Sequence, residues 1–248
     1  MTRRSTLISA ALLCLVGTSA WADGMPATYS AAPSRCGAGP FSGPYIGAAV
    51  GYANQRVEAT DEIFGGSFKD RDGSVTFGGY VGYNWQCDRF LLGAETDFNY
   101  IDTSPTATSG TISLNSQTDW YGTLRARAGL VVHDSLLLYV TGGLAYANVD
   151  HTFSDPAGPG GPFSQSNSNT TTGWTLGGGG ELLHGANWLV RAEAFYVDLG
   201  SETNTYVQPT PCAGVTCTAI TKWDDEFWVA RVGVSYKFGH REEVVPLK

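Results

Sequence analysis

Charge is scarce in this chain: Asp, Glu, Lys and Arg together make up 15% of its 248 residues. Long apolar runs are missing as well. Past residue 22 no stretch approaches the roughly 18 consecutive apolar residues of a spanning helix, so a membrane role would need strands. Catalytic signatures are absent: there is no HExxH, no GxSxG and no Walker motif. His133, His151, His184 and His240 are scattered and form no local cluster. A formal net charge of −8 argues against nucleic acid as a partner. What is plentiful is Gly, at 32, and aromatic residues, with 12 Tyr, 11 Phe and 7 Trp. That mixture suits a β-rich protein with close backbone contacts and many turns.

The first residues read as an export signal rather than as part of the fold. Arg3 and Arg4 supply a basic start, Leu7 to Val16 a short apolar stretch, and Ala20-Trp21-Ala22 a small-x-small cleavage site. Residues 1–22 are therefore expected to be removed by cleavage after Ala22. The apolar stretch is about half the length of a spanning helix, which argues against an uncleaved anchor. Cys14 follows Leu13, a residue too large for a lipoprotein cleavage site. Losing 1–22 removes two Arg and no acid, so the remaining chain is more acidic still.

From about residue 43 apolar and polar residues alternate with period two in eight segments, near 45–57, 75–86, 90–100, 119–132, 136–149, 173–183, 188–199 and 227–238. A tilted strand needs about 9–11 residues to cross a bilayer, whereas a globular strand averages about 5–6. The segments match the longer figure. Their connections alternate in size. The short ones lie around Cys87-Asp88, His133-Asp134-Ser135 and His184-Gly185-Ala186-Asn187. The long polar ones cover about 58–74, 101–118, 150–172 and 200–226, and the third, SDPAGPGGPFSQSNSNTTT, reads as a mobile loop. Strict alternation puts all long loops at one end, the layout of an up-and-down barrel with short periplasmic turns. The expected fold is all-β, an eight-stranded antiparallel transmembrane barrel over 43–238. Residues 23–42 then form a periplasmic N-terminal segment and 239–248 a short periplasmic tail.

The faces separate a membrane barrel from a soluble one. Trp120, Leu124, Ala126, Ala128, Leu130 and Val132 share one face, opposite Tyr121, Thr123, Arg125 and Arg127. Trp188, Val190, Ala192, Ala194 and Tyr196 oppose Arg191 and Glu193; Trp228, Ala230, Val232, Val234, Tyr236 and Phe238 oppose Arg231, Ser235 and Lys237. The apolar rows begin and end in aromatics, which is a lipid-facing band between two aromatic girdles. The polar rows are rich in Gly, Ser and Thr, as a crowded interior requires; a soluble barrel's water-facing row would favour Lys and Glu.

The expected interior charges nearly balance: Arg125, Arg127, Arg191, Arg231 and Lys237 against Glu95, Asp97, Glu181 and Glu193. A charge in a narrow lumen is costly unless paired, so these residues read as an ion-paired plug, and the competing reading is a gated path for small ions. His133 and Ser135 would need an acid and a lipid interface to act as a hydrolase, and a turn explains both more simply. The chain reads as a non-enzyme with no cofactor and no metal. Gly177–Gly180 lies within a strand and reads as close packing, not a phosphate cradle. Four cysteines follow the signal. Cys212 and Cys217 close a short loop in the last long connection, and Cys36 and Cys87 share the short-turn end, so both pairs read as disulfides.

The stretches FSGPYIGAAVGY, YVTGGLAYANV, GWTLGGGGE, RAEAFYVDLG and RVGVSYKF, in that order over about 41–238, resemble the small outer-membrane proteins of alphaproteobacteria, the RopB-like outer-membrane immunogenic family with an OmpA-like barrel. The resemblance implies a Gram-negative outer membrane, contact with its lipid and lipopolysaccharide, insertion by the barrel assembly machinery, exposed antigenic loops that meet a host or extracellular ligand, and a part in envelope integrity. Some relatives are described as haem-binding or porin-like, and no motif here specifies either. It also implies that Phe238 is the terminal aromatic read in assembly, although here Gly239–Lys248 continues beyond it. Non-reducing peptide mapping of the exported protein should return a Cys212–Cys217 link and a mature chain that starts at Asp23; a Cys36–Cys212 link would break this topology.

Overall fold

The computed structural model describes residues 36–37, 39–61, 67–157, 161–207 and 218–238. The strands are β1 (Gly43–Asp61), β2 (Ser67–Cys87), β3 (Phe90–Thr103), β4 (Thr106–Ser109), β5 (Ile112–His133), β6 (Leu136–Asp155), β7 (Phe163–His184), β8 (Trp188–Val207) and β9 (Thr218–Lys237). Consecutive strands pair antiparallel, except that β3 and β4 both pair with β5, and β9 returns to β1 from Tyr45–Lys237 to Asp61–Thr221. The sheet is therefore a closed ring of eight staves. β4 extends the line of β3 along β5, beyond a break at Ser104-Pro105. Proline has no N–H to donate, yet the Pro105 carbonyl still accepts from Ser116 N at 3.1 Å. The eight strands expected from the alternation are thus present, with this short ninth piece added.

The expected boundaries were too short at one end. Most of 58–74, 101–118, 150–172 and 200–226 is strand, and seven of the strands run to 19–22 residues. The stretch read as a mobile loop is largely ordered: Phe163–Thr172 belongs to β7 and pairs with β6 up to Asp155–Phe163. Its Ser, Asn and Thr residues look like loop residues because they show no apolar row. A strand above the membrane has water outside it and needs none.

Below the outer aromatic girdle the barrel is apolar outside. Val50, Val81, Leu92, Leu124, Val140, Leu176, Val190 and Val232 are all exposed on the outer face. Tyr236 and Phe238 stack edge to face near one rim, and Phe98 and Trp120 lie parallel near the other. Above the outer girdle the rule inverts; the β1 ladders run through this level unbroken, while β3–β5, β5–β6 and β8–β9 shift register there. On β1 the apolar side chains pass from Ile46, Val50 and Tyr52, which point out, to Ala53, Val57 and Ala59, which are fully buried inside. On β9 they pass from Trp228 and Val232 outside to Trp223 and Phe227 inside.

The upper wall is also split twice. The β2–β3 ladder stops at Phe77–Tyr100, and beyond it the Asp70 and Asp72 carboxylates accept the backbone N–H groups of Thr106 at 2.7 Å and Ser104 at 2.9 Å. The β7–β8 ladder stops at Trp174–Asp198. There Thr171 donates to Glu202 at 3.1 Å and Val207 N donates to the Gln165 side chain at 3.2 Å. Above the membrane the ring is thus two four-stave walls, joined across the interior by Val57, Ala59, Leu114, Tyr206 and Trp223. Replacing Leu124 or Val232 with Arg should destabilise the protein by about 2–4 kcal/mol in lipid vesicles. Thr205→Arg, exposed above the girdle, should be close to neutral in the same equilibrium unfolding measurement; equal losses at all three sites would show that the band is misplaced.

Candidate functional site

The lumen concentrates buried charge. Cross-strand register writes the pairs. Glu95 on β3 lies directly opposite Arg125 on β5, Glu181 on β7 opposite Arg191 on β8, and Glu193 on β8 opposite Arg231 on β9. Arg125 donates to Glu95 at 2.6 Å and Asp97 at 3.0 Å, and meets Glu193 at 3.4 Å. Arg127 reaches Glu181 at 2.8 Å, and Arg231 holds Glu193 at 2.6 Å and Asp97 at 2.7 Å. Arg191 approaches Glu95 at 2.7 Å and Glu181 at 2.5 Å, close contacts of charge rather than well-aligned hydrogen bonds. Four guanidinium groups and four carboxylates, all buried, make a cluster of zero formal charge.

Aromatic and small residues complete it. The Arg127 guanidinium lies 4.0 Å from the centre of the Tyr139 ring, and that of Arg191 lies 4.0 Å from Tyr80, distances at which a cation is attracted to a ring face. Tyr45 Oη accepts from Arg127 at 2.6 Å and donates to Glu95 at 2.7 Å. Gly177 and Gly179 on β7 make room for their neighbours: a Cβ at either would lie 2.3 Å from Phe195 Cβ or 2.7 Å from Glu193 Cβ. These tyrosines and Phe195 were not singled out in the sequence, although each sits on the inward period of its strand. Lys237 is buried at the short-turn end, away from the arginine cluster, with Nζ 3.4 Å from the Ser42 carbonyl.

Apolar layers bound the cluster. Toward the short turns, Phe41, Leu91, Val131, Leu137, Tyr139 and Leu189 close the lumen. Phe41 arrives from the segment before β1, which is fixed by the Cys36–Cys87 disulfide, by Phe41 N donating to the Gln86 side chain at 3.0 Å and by Gly37 N donating to Gln86 O at 2.8 Å. Cys212 and Cys217 lie outside the described residues. Toward the long loops, Ala53, Ile101, Tyr121, Phe195, Val197 and Phe227 form a second apolar layer.

Above it lies a polar cluster that sequence reading missed. Asn204 Nδ2 donates to His151 Nδ1 at 3.0 Å, which leaves the Nε2 proton for Asp225 at 2.8 Å. Asp225 also accepts from Ser116 at 2.8 Å and Gln55 at 3.1 Å, and the imidazole stacks on Trp223 at 4.3 Å. Burial pushes the neighbouring Tyr206 phenol up to about 12. His151 and Asp225 are 74 residues apart on strands that never pair, so no spacing betrays them. Elsewhere, His133 Nδ1 and Ser135 Oγ lie 3.2 Å apart in an exposed turn. Among the described residues no group of His, Cys, Asp and Glu has the arrangement of a metal site.

A closed antiparallel ring, apolar toward its surroundings over the length of a bilayer and filled with paired charge, is a transmembrane β-barrel. The comparisons agree: residues 8–238 match the outer membrane protein beta-barrel domain, and the chain belongs to that family. It is 33% identical over 250 residues to the 31 kDa outer-membrane immunogenic protein of Brucella melitensis, covering 94% of this chain and 99% of that one. It is 31% identical over 167 residues to the 22 kDa outer membrane protein of Rhizobium leguminosarum bv. viciae, covering 66% of this chain and 67% of that one. Among solved structures, OprG from Pseudomonas aeruginosa superposes with a TM-score of 0.57 at 18% identity, over 81% of this chain and 98% of that one, which shows the shared fold. The protein is an integral barrel of the outer membrane. Removing one member of a buried pair strands the other, so Arg191→Met should destabilise the barrel by about 3–5 kcal/mol. Arg191→Met with Glu181→Met should lose less than the sum of the two single losses in equilibrium unfolding; strict additivity would mean that the pair is uncoupled.

Proposed function

We propose that this protein is a non-enzymatic structural component of the outer membrane that presents its above-membrane walls and loops to the outside and does not conduct ions. The observation that carries this reading is the filling of the lumen. An apolar seal, a neutral ion-pair cluster, a second apolar layer, a hydrogen-bonded polar cluster and a third apolar layer follow one another along the barrel axis. An ion entering this path would have to separate buried charge pairs and cross apolar layers, both costly in a low dielectric. Eight strands leave an interior that side chains can fill. The immunogenic relatives, at about the same length, fit a surface-antigen or adhesion role supported by a rigid barrel.

The porin-like and haem-binding readings are the rivals, and the filled lumen weighs against both. In the same proposal residues 1–22 are a leader cut after Ala22 and 239–248 a periplasmic tail, both outside the described residues. Phe238, whose N–H donates to Pro44 O at 2.8 Å, ends the lipid-facing row as the aromatic read by the assembly machinery. Purified protein in planar bilayers should show no conductance steps; steps in the unaltered protein would overturn the structural reading. Phe238→Ser should sharply reduce the heat-modifiable form on gels, whereas deletion of 239–248 should not; the reverse pattern would make the tail the assembly element.

A further inference from the structure

The two seams in the upper wall are not alike. The seam between β2 and β4 is sealed. Asp70 and Asp72 take the N–H groups of Thr106 and Ser104, and Pro105 between them has none to offer. The β2 side also carries Lys69 and Arg71. Charge and proline are how sheet proteins keep an open edge from pairing with another chain. The seam between β7 and β8 has neither device along β7: from Phe163 to Gly180 that strand contains no charged residue and no Pro. Along Ser201–Val207 of β8 the single charge is Glu202.

The β8 edge is open above the Trp174–Asp198 pair. Beyond that point no described strand pairs with this side of β8, while β9 pairs with its other side up to Val207–Thr218. Val207 N–H points into the seam, where the Gln165 side chain accepts it at 3.2 Å. In an antiparallel strand the backbone groups of successive residues turn to alternate sides. The N–H and C=O groups of Thr203 and Thr205 therefore face the seam with those of Val207. What spans the seam is side chains: Gln165 to Val207 N, and Thr171 and Asn169 to the Glu202 carboxylate. Hydrogen bonds of this kind near water are exchanged at little net cost. A row of main-chain donors and acceptors held at a strand edge is a template for one more strand.

Charge says what kind of strand fits. At the foot of the seam a hollow of about 430 Å³ opens between Gly173, Trp174, Asp198, Gly200, Ser201 and Glu226. Four carboxylates stand around the hollow and the edge: Asp198, Glu202, Asp224 and Glu226. Arg56 meets Glu226 at 3.1 Å and Lys222 meets Asp224 at 3.3 Å. The other two have hydrogen bonds but no cation. Asp198 accepts from Gly200 N at 2.7 Å and Glu202 from Thr171 at 3.1 Å, and neither meets a Lys or Arg among the described residues. One unneutralised acid thus lies at the foot of the open edge and the other beside its middle.

We infer that the seam-facing edge of β8 takes up an extended, basic segment of another polypeptide as an added strand. The segment's main chain pairs with Thr203, Thr205 and Val207 in place of the Gln165 side chain. Its Lys or Arg side chains meet Glu202 and Asp198. The open edge calls for an extended main chain and the acids call for positive charge, and these are separate observations. The inference rests on the proposed surface role and names the partner's chemistry. The two fail apart: conductance steps would overturn the structural role whether or not a peptide binds, and absence of peptide binding leaves a non-conducting barrel intact.

Full-length refolded protein in zwitterionic detergent, checked for heat-modifiability, should bind a fluorescent peptide in which Lys alternates with Val, saturably by anisotropy. The same peptide with Glu in place of Lys should not bind, nor should the Lys peptide N-methylated at every residue, which keeps its charge and loses its N–H donors. Glu202→Gln should weaken binding about tenfold, the loss of one charge-assisted contact. Thr205→Pro removes one seam-facing N–H and leaves the β8–β9 ladder its partners, so it should weaken binding by a similar factor without loss of the heat-modifiable form. Equal binding of the N-methylated peptide would reduce the site to an acidic patch and overturn the added strand. Equal binding of the Glu peptide would overturn the basic partner, and no saturable binding of the Lys peptide would overturn both. If Thr205→Pro fails to fold, Glu202→Gln and the N-methylated peptide carry the test, and unchanged binding in both would overturn the inference.

Discussion

Every backbone N–H and C=O in the hydrocarbon zone must be paired within the sheet, because nothing in lipid can replace a missing partner. The β1–β9 seam meets that demand. It runs from Tyr45–Lys237 to Asp61–Thr221 and leaves the span without an edge. Closure with eight staves fixes the bore, and the bore fixes the contents. The interior holds side chains and little else, so glycines such as Gly177 and Gly179 stand beside the bulky Phe195 and Glu193 of the next strand. A charged residue placed there must find its counterion among the few strands that face it.

That constraint explains why the ion pairs follow the hydrogen-bond ladder. Three of the arginines sit directly opposite a carboxylate on a neighbouring strand, and Arg127 reaches past β6 to Glu181 on β7. The same register that satisfies the backbone therefore neutralises the lumen. A slip of one residue would turn the apolar band inward and expose the arginines to lipid at once. Fidelity of strand pairing is enforced on both faces together.

Much of this was legible in the sequence, for a definite reason. In the span the two solvents are lipid and a crowded polar bore, so period-two contrast is strong and the inward charges from Glu95 to Arg231 stand out. Which arginine meets which carboxylate was not legible, because it depends on pairings between strands distant in the chain. The strand ends were missed because the contrast changes sign at the girdle. Ala59 and Trp223 continue the strands but on the opposite face, and the Ser, Asn and Thr of β7 resemble a loop. The His151–Asp225 contact joins two strands that do not pair.

The inversion at the girdle means that one set of strands is stabilised by two different kinds of physics. Inside the bilayer, apolar side chains gain little by leaving lipid for protein, so hydrogen bonding, ion pairing and close packing maintain the ring. Above it, two four-stranded walls clasp Leu114, Tyr206 and Trp223 away from water, as the sheets of a soluble sandwich do. Burial of that second kind weakens on cooling and in urea. The outer half should therefore loosen first under either stress, while the ring beneath it stays shut.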